Sequence, residues 1–253
     1  MASTCFLLQS LVRRGRCLAV ILAVPTMVTA TSAHAVTVPF TEAFAASAQN
    51  WAIDSGGTSA TWNATGGPSD STFISRLGTP ADGPFSGPII FRGQDGFNSS
   101  GDAFVGDWIA NSVGVFSVDF FHDNSSSLNV SVRFASPFND PGASSVNFLV
   151  PASTWTTLTI PIVDSTSSFQ AYGSLGAVPN ATSFSTIFSS IGNIQISLAS
   201  GQVGAGLPSS VTLGIANPTI APVPEPSVWA VLGGAFVVAT AMVRRRKRGR
   251  DAT

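Results

Sequence analysis

Cysteine is missing from most of this chain. Both cysteines, Cys5 and Cys17, lie near the start of a sequence of 253 residues. A body that begins after them has no disulfide frame, no cysteine zinc ligand and no thiol nucleophile. It must hold together by packing alone. Histidine is nearly as scarce, with only His34 and His122. A histidine-based metal centre needs more than one imidazole. A Ser-His-Asp triad would have to use His122, and no G-x-S-x-G elbow occurs anywhere. His122 continues a strand of alternating apolar residues, so a neighbouring backbone group is its expected partner. Lysine is absent before Lys247. From residue 36 to 226 the cations are Arg76, Arg92 and Arg133, against ten Asp and two Glu, a net charge of minus nine. The whole chain sums to -1. Phosphate binding needs positive charge, so this body should avoid nucleic acid and anionic lipid. Its acidity reads as a soluble secreted surface, with divalent cations as the alternative partner.

What is present at the ends reads as addresses. Arg13, Arg14 and Arg16 precede an apolar run from Cys17 to Val28, and Ala33-His34-Ala35 follows. That order predicts a secretory signal peptide over 1–35, cleaved after Ala35, with the Sec machinery as partner. A retained membrane helix would be short and broken by Pro25. At the other end, Ser227 to Val243 is a run of 17 residues without formal charge. As a helix it would reach about 26 Å, near the short limit for a bilayer core. The cluster Arg244, Arg245, Arg246, Lys247, Arg248 and Arg250 follows, and such a cluster stays cytoplasmic. The alternative is a buried core helix with a basic tail. The expected division is a signal peptide at 1–35, a β-sandwich domain at 36–215, a linker at 216–226, a transmembrane helix at 227–243 and a basic tail at 244–253.

Val223-Pro224-Glu225-Pro226, the apolar span and the Arg-rich end stand in a specific order. Together they resemble the PEP-CTERM sorting signal of Gram-negative bacteria. The resemblance implies export across the inner membrane and recognition by exosortase near Pro-Glu-Pro. Glu225 would then be a substrate position. The flanking prolines keep that segment extended and out of the helix behind it. The resemblance further implies a cell-surface or extracellular life in a biofilm rich in exopolysaccharide, with membrane anchoring before sorting.

The body reads as β. "LNVSVRFA" places Leu128, Val130, Val132 and Phe134 on one face, and "VGVFSVDFFHD" does the same with Phe116, Val118 and Phe120. "SVNFLV", "TWTTLTIPI", "NIQISLAS" and "SVTLGIA" add short period-2 runs. Earlier candidates are 36–40, 60–64, 73–77, 88–92 and 104–109. "SFSTIFSSIGN" spaces Phe184, Ile187, Phe188 and Ile191 at helical intervals, with Ser183 as N-cap and Gly192 as stop. The expected fold is all-β: a two-sheet antiparallel sandwich of the jelly-roll kind with one short helix. No fixed-period repeat argues for a propeller or solenoid. Residues 200 to 226 read as loop and then spacer.

Chemistry is thinly represented. Paired carboxylates could serve glycoside hydrolysis, yet Glu42 is the only Glu in the folded part. Most Asp sit beside Gly, Ser or Pro, where they cap turns. "FRGQDGFNSSGDAFVGDWI" gathers Asp95, Asn98, Asp102 and Asp107, oxygen ligands of the kind Ca²⁺ takes, without EF-hand or nonapeptide spacing. The segments "VPFTEAFAASAQNW", "TWNATGGP…FISR" and "DAFVGDW" resemble galactose-binding-like and laminin-type jelly rolls of other PEP-CTERM proteins. That resemblance implies a structural cation between an acid near the first strand, matched by Glu42, and an acid on the last. Ala216-Asn217 stands in the last place. The calcium candidates are Glu42, Asp95 and Asp102. For sugar, aromatic faces stack on pyranose rings. The candidates are Trp51, Trp62, Trp108, Trp155 and Tyr172, with Asn63, Arg76, Arg92 and Arg133 as hydrogen-bonding partners. Trp62 with Asn63, Arg76 and Arg92 forms the expected site, and Trp155 is expected in the core. The functional expectation is a non-catalytic surface protein that binds exopolysaccharide. A purely structural or adhesive surface protein and a secreted polysaccharide hydrolase are the alternatives.

Overall fold

The structure, a computed structural model, describes residues 36–78, 90–172, 181–199 and 210–223. Ala33, Ala35, Pro224, Glu225, Pro226, the span 227–243 and Arg244, Arg245, Arg246, Lys247 and Arg248 lie outside them. The early strands are β1 (Phe40–Thr41), β2 (Thr61–Asn63), β3 (Phe73–Gly78), β4 (Ile90–Gln94), β5 (Val113–His122) and β6 (Leu128–Ala135). Then come β7 (Gly142–Ser145), β8 (Phe148–Val150), β9 (Thr156–Pro161), β10 (Phe169–Tyr172), helix α1 (Ala181–Phe188), β11 (Asn193–Leu198) and β12 (Val211–Pro222).

These strands form two six-stranded antiparallel sheets. The first runs β2-β3-β12-β5-β9, with β1 pairing β12, and the second runs β10-β7-β6-β11-β4, with β8 pairing β6. The chain crosses between sheets after β3, β4, β5, β8, β9 and β11, as in a jelly roll. A two-sheet sandwich with one helix is therefore the architecture. Its core lies between the inner faces. Phe116, Val118 and Phe120 of β5 are buried there, and so are Val130, Val132 and Phe134 of β6. Alternation with period 2 puts these residues inward, and each large side chain so buried stabilises the fold by about 1.5–3 kcal/mol. The Trp108 ring packs near Phe116, Phe134 and Phe188, at centroid distances of 6.4, 5.4 and 6.1 Å. Through Phe184 and Phe188 helix α1 rests on Phe169 and Phe134.

Three sequence expectations need correction. The spacer does not begin at 216. Residues 211–222 are one strand, central in the first sheet, pairing β5, β3 and β1. "ANPT" reads as a loop, but the strand absorbs it as a bulge. Asn217 takes φ 50°, and the register with β5 shifts between Ala216 and Thr219. The Pro218 carbonyl then accepts the Glu42 N–H at 3.0 Å. The domain thus extends through Pro222. Residues 104–109 form no strand. Phe104 and Trp108 are buried from a loop that touches Ile191 through a single bridge at Gly106. Helix α1 starts two residues before Ser183 and ends four before Gly192. Among the described residues no helix is long and apolar enough to cross a membrane.

Candidate functional site

The outer face of the second sheet carries the most concentrated polar chemistry. Strand β11 sends Ile194, Ile196 and Leu198 into the core. Asn193, Gln195 and Ser197 must therefore point outward. In register, Gln195 lies opposite Arg92 of β4 on one side and Arg133 of β6 on the other. Arg133 in turn lies opposite Ser144 of β7. One row across four strands therefore reads Arg92, Gln195, Arg133, Ser144. Next to it, Gln94 and Ala135 flank Asn193.

The β6–β7 connection folds back over this face. The Asn139 Oδ1 accepts from Asn193 Nδ2 at 3.3 Å and from Gln195 Nε2. The Asn139 carbonyl accepts from Arg133 Nη2 at 2.8 Å. Asn139 adopts φ 66°, a conformation asparagine tolerates better than most residues. Its neighbour Phe138 is 92% exposed, an unusual place for a ring of that size. A Cβ at Gly142 would run into the Arg133 guanidinium, so any larger residue there would have to push that side chain aside.

Both arginines are half-buried. Burial pushes each guanidinium down from its ordinary pKa, while Asp54 pushes Arg92 back up and Asp140 does so for Arg133. Arg92 Nη1 donates to Gln94 Oε1 over a long 3.4 Å, and its Nε is buried without a hydrogen-bond partner. Asn193 is 1% exposed, and its Oδ1 also lacks a partner. Buried polar groups left this way are costly, and a ligand or water relieves the cost. The face thus holds planar donors and acceptors fixed by a sheet, with Asn193 and Gln195 buried under Asn139, the two arginines half-buried beside them and an exposed aromatic ring on the neighbouring residue.

The expected sugar set divides between the sheets. Trp62 is 37% exposed at the edge of the first sheet, and its Nε1 donates to the Phe44 carbonyl at 2.6 Å. Asn63 Nδ2 donates to Ser75 Oγ at 2.9 Å. Arg76 Nη1 donates to the Ile53 carbonyl at 2.9 Å, beside Ala52, which exchanges backbone hydrogen bonds with Arg92. Trp51 and Trp108 are fully buried. Trp155, expected in the core, lies half-buried on the outer face of the first sheet. Its ring approaches Phe73 at 5.4 Å and Phe121 at 5.3 Å, and it covers Gly214, whose Cβ would lie 3.1 Å from Trp155 Cη2. Gln195, Asn193 and Asn139 were not among the expected site residues.

For calcium, Glu42 Oε1 accepts the Phe44 N–H at 2.8 Å, and Asp102 is buried in a 3-10 turn that follows Asp95 and Asn98. Among the described residues no group of three His, Cys, Asp or Glu is placed to hold a metal ion. His122 is fully buried, and its Nε2 meets the Val150 carbonyl at 3.1 Å.

No family model matches the sequence, and no curated protein does. Several solved structures are similar at low identity. A family 11 carbohydrate-binding module of the Clostridium thermocellum cellulase Lic26A-Cel5E is 17% identical, over 75% of this chain and 96% of that one, with a TM-score of 0.45. The L4b domain of human laminin alpha-2 is 11% identical, over 74% and 99%, with a TM-score of 0.48. The N-terminal CBM22-1 and GH10 modules of C. thermocellum xylanase 10B are 12% identical, and this chain spans 28% of their length, with a TM-score of 0.43. Nothing about the site follows from these likenesses.

Proposed function

We propose that this chain is an exported, non-catalytic surface protein that binds polysaccharide on the outer face of its second sheet. The observation that carries this reading is the row Arg92–Gln195–Arg133, backed by Asn193 and Asn139 and bordered by the exposed ring of Phe138. Sugar hydroxyls need planar donors and acceptors held in place, and pyranose faces need an aromatic ring. A sheet supplies the first and the Phe138 loop the second. The reading is non-catalytic, and it is supported by the burial of the His122 imidazole against the Val150 carbonyl. Binding of the full chain to a panel of insoluble and soluble polysaccharides tests the reading. Phe138→Ala and Gln195→Ala should each weaken retention of whichever polymer binds. Retention of none, or retention untouched by both variants, removes the site.

The order of the two ends supports the route. A signal peptide at 1–35 and a PEP-CTERM sorting signal at 223–250 would take the body through the Sec machinery to exosortase, and then to the surface of a Gram-negative biofilm. The mass of the mature species tests this. It should begin at Val36 and lack the Arg-rich end.

A second reading has its own observation. Phe73, Phe121 and Trp155 form a half-exposed aromatic patch on the first sheet, and Leu77 in β3 is 59% exposed. Such a surface favours a structural or adhesive role. Trp155→Ala abolishing cell or matrix attachment while leaving polysaccharide retention intact would support it.

A further inference from the structure

We infer that the glycan taken by the second sheet is anionic, with carboxylate groups held by the guanidiniums of Arg92 and Arg133 on either side of Gln195. This rests on the polysaccharide reading above and specifies its substrate class.

Residues 36 to 223 contain three arginines and no lysine. Two of those three cations stand in one cross-strand row on one outer face. Strand β11 separates them, so their backbones lie about two strand spacings, or roughly 10 Å, apart. That separation is comparable to a pair of sugar units, and it suits charges repeated along one polymer better than a single small anion.

Each guanidinium is half-buried and has given up part of its hydration. A neutral hydroxyl ligand would strip away more water without returning opposite charge. A carboxylate returns charge and matches the planar two-pronged donor. Asp54 and Asp140 already return part of the charge to Arg92 and Arg133. Asp54 spends its Oδ1 on the N–H groups of Gly56 and Thr58, at 2.9 and 3.0 Å. Asp140 acts on Arg133 from the same loop that carries Asn139. Arg92 keeps a buried Nε without a hydrogen-bond partner.

The rest of the body is strongly acidic, so a polyanion is repelled except along this row. Binding should therefore be local and salt-sensitive.

The test uses the full chain, polygalacturonate, and the same polymer with its carboxyls reduced to alcohols. The account expects the charged polymer to bind about tenfold or more tighter than the reduced one, the size of a charge-assisted contact. Arg92→Gln, and separately Arg133→Gln, should weaken the charged polymer by a similar factor and the reduced polymer by clearly less, since only the ion pair is lost on the charged one. Arg92→Lys should recover part of the loss. The Arg-rich end is common to all these proteins, so the loss on Arg92→Gln reports the sheet alone. Circular dichroism of both variants checks that the sandwich is intact. If both polymers bind equally and Arg92→Gln weakens both, the site stands and the anionic assignment falls. If the charged polymer binds undiminished by either substitution, the assignment also falls. If neither polymer nor any other polysaccharide binds, both readings fail.

Discussion

A chain stopped after Ala216 should not fold. The cut removes Thr219, Ile220, Ala221 and Pro222, which pair with Ser117, Phe116, Val115 and Val113 of β5. It also removes both partners of β1, since Phe40 pairs Ile220 and Thr41 pairs Thr219. Ile220 is fully buried, and losing such a side chain costs about 2–5 kcal/mol. Four or so sheet hydrogen bonds at about 1 kcal/mol each add about 4. The Asn217–Asp119 contact at 2.9 Å and the Glu42–Pro218 contact at 3.0 Å go as well. Phe40, freed from β12, no longer has to hold its edge contact with Phe104 at 5.1 Å. The total is about 8 kcal/mol or more, against about 5–15 for a whole domain. Thermal and urea unfolding followed by circular dichroism should show one cooperative transition for a chain ending at Val223 and none for a chain ending at Ala216. Two transitions with the same midpoint would refute the placement of β12 as a central strand.

Gly142→Ala should push the Arg133 side chain off its seat while leaving the core alone. Polysaccharide affinity should fall severalfold with a melting temperature within a few degrees of wild type, and unchanged affinity would contradict the site. Trp108→Phe deletes the donor to the Phe104 carbonyl, now at 2.8 Å, and leaves a void in the core. The expected loss is about 3 kcal/mol, or roughly 6–12 °C in a calorimetric melt. Burial holds the His122 imidazole below its ordinary pKa, partly offset by the Val150 carbonyl and Asp123. As pH falls the unfolded chain takes up that proton first. Stability should therefore be full above about pH 6.5 and decline below it, and His122→Gln should flatten that decline. A urea midpoint whose pH slope is the same in both proteins would sink this assignment.

The alternating strands were legible because one face is wet and the other buried. β5 and β6 show this plainly. β12 was only half legible, since Asn217 and Pro218 are loop residues by local preference and the neighbouring strands override that preference. Residues 104–109 misled because Phe104 and Trp108 are buried by tertiary contacts, and spacing alone does not separate a strand from a packed loop. The parity of Leu158 and Ile160 already placed Trp155 on the outer face, a signal that its size obscured. At the site, Arg92 and Arg133 were visible as scarce cations. Gln195 and Asn193 looked like ordinary solvent-facing partners of Ile194 and Ile196. Only the sheet order, with β11 between β4 and β6, sets Gln195 in one row with the arginines and Asn193 in the next, and no spacing in the sequence encodes that order.

The most direct measurement is a map of amide chemical shifts as polygalacturonate is titrated into the isotopically labelled protein. The account predicts perturbations centred on Arg92, Arg133, Phe138, Asn139 and Gln195. Perturbations centred on Phe73, Phe121 and Trp155 instead, or none at saturating polymer, would contradict it.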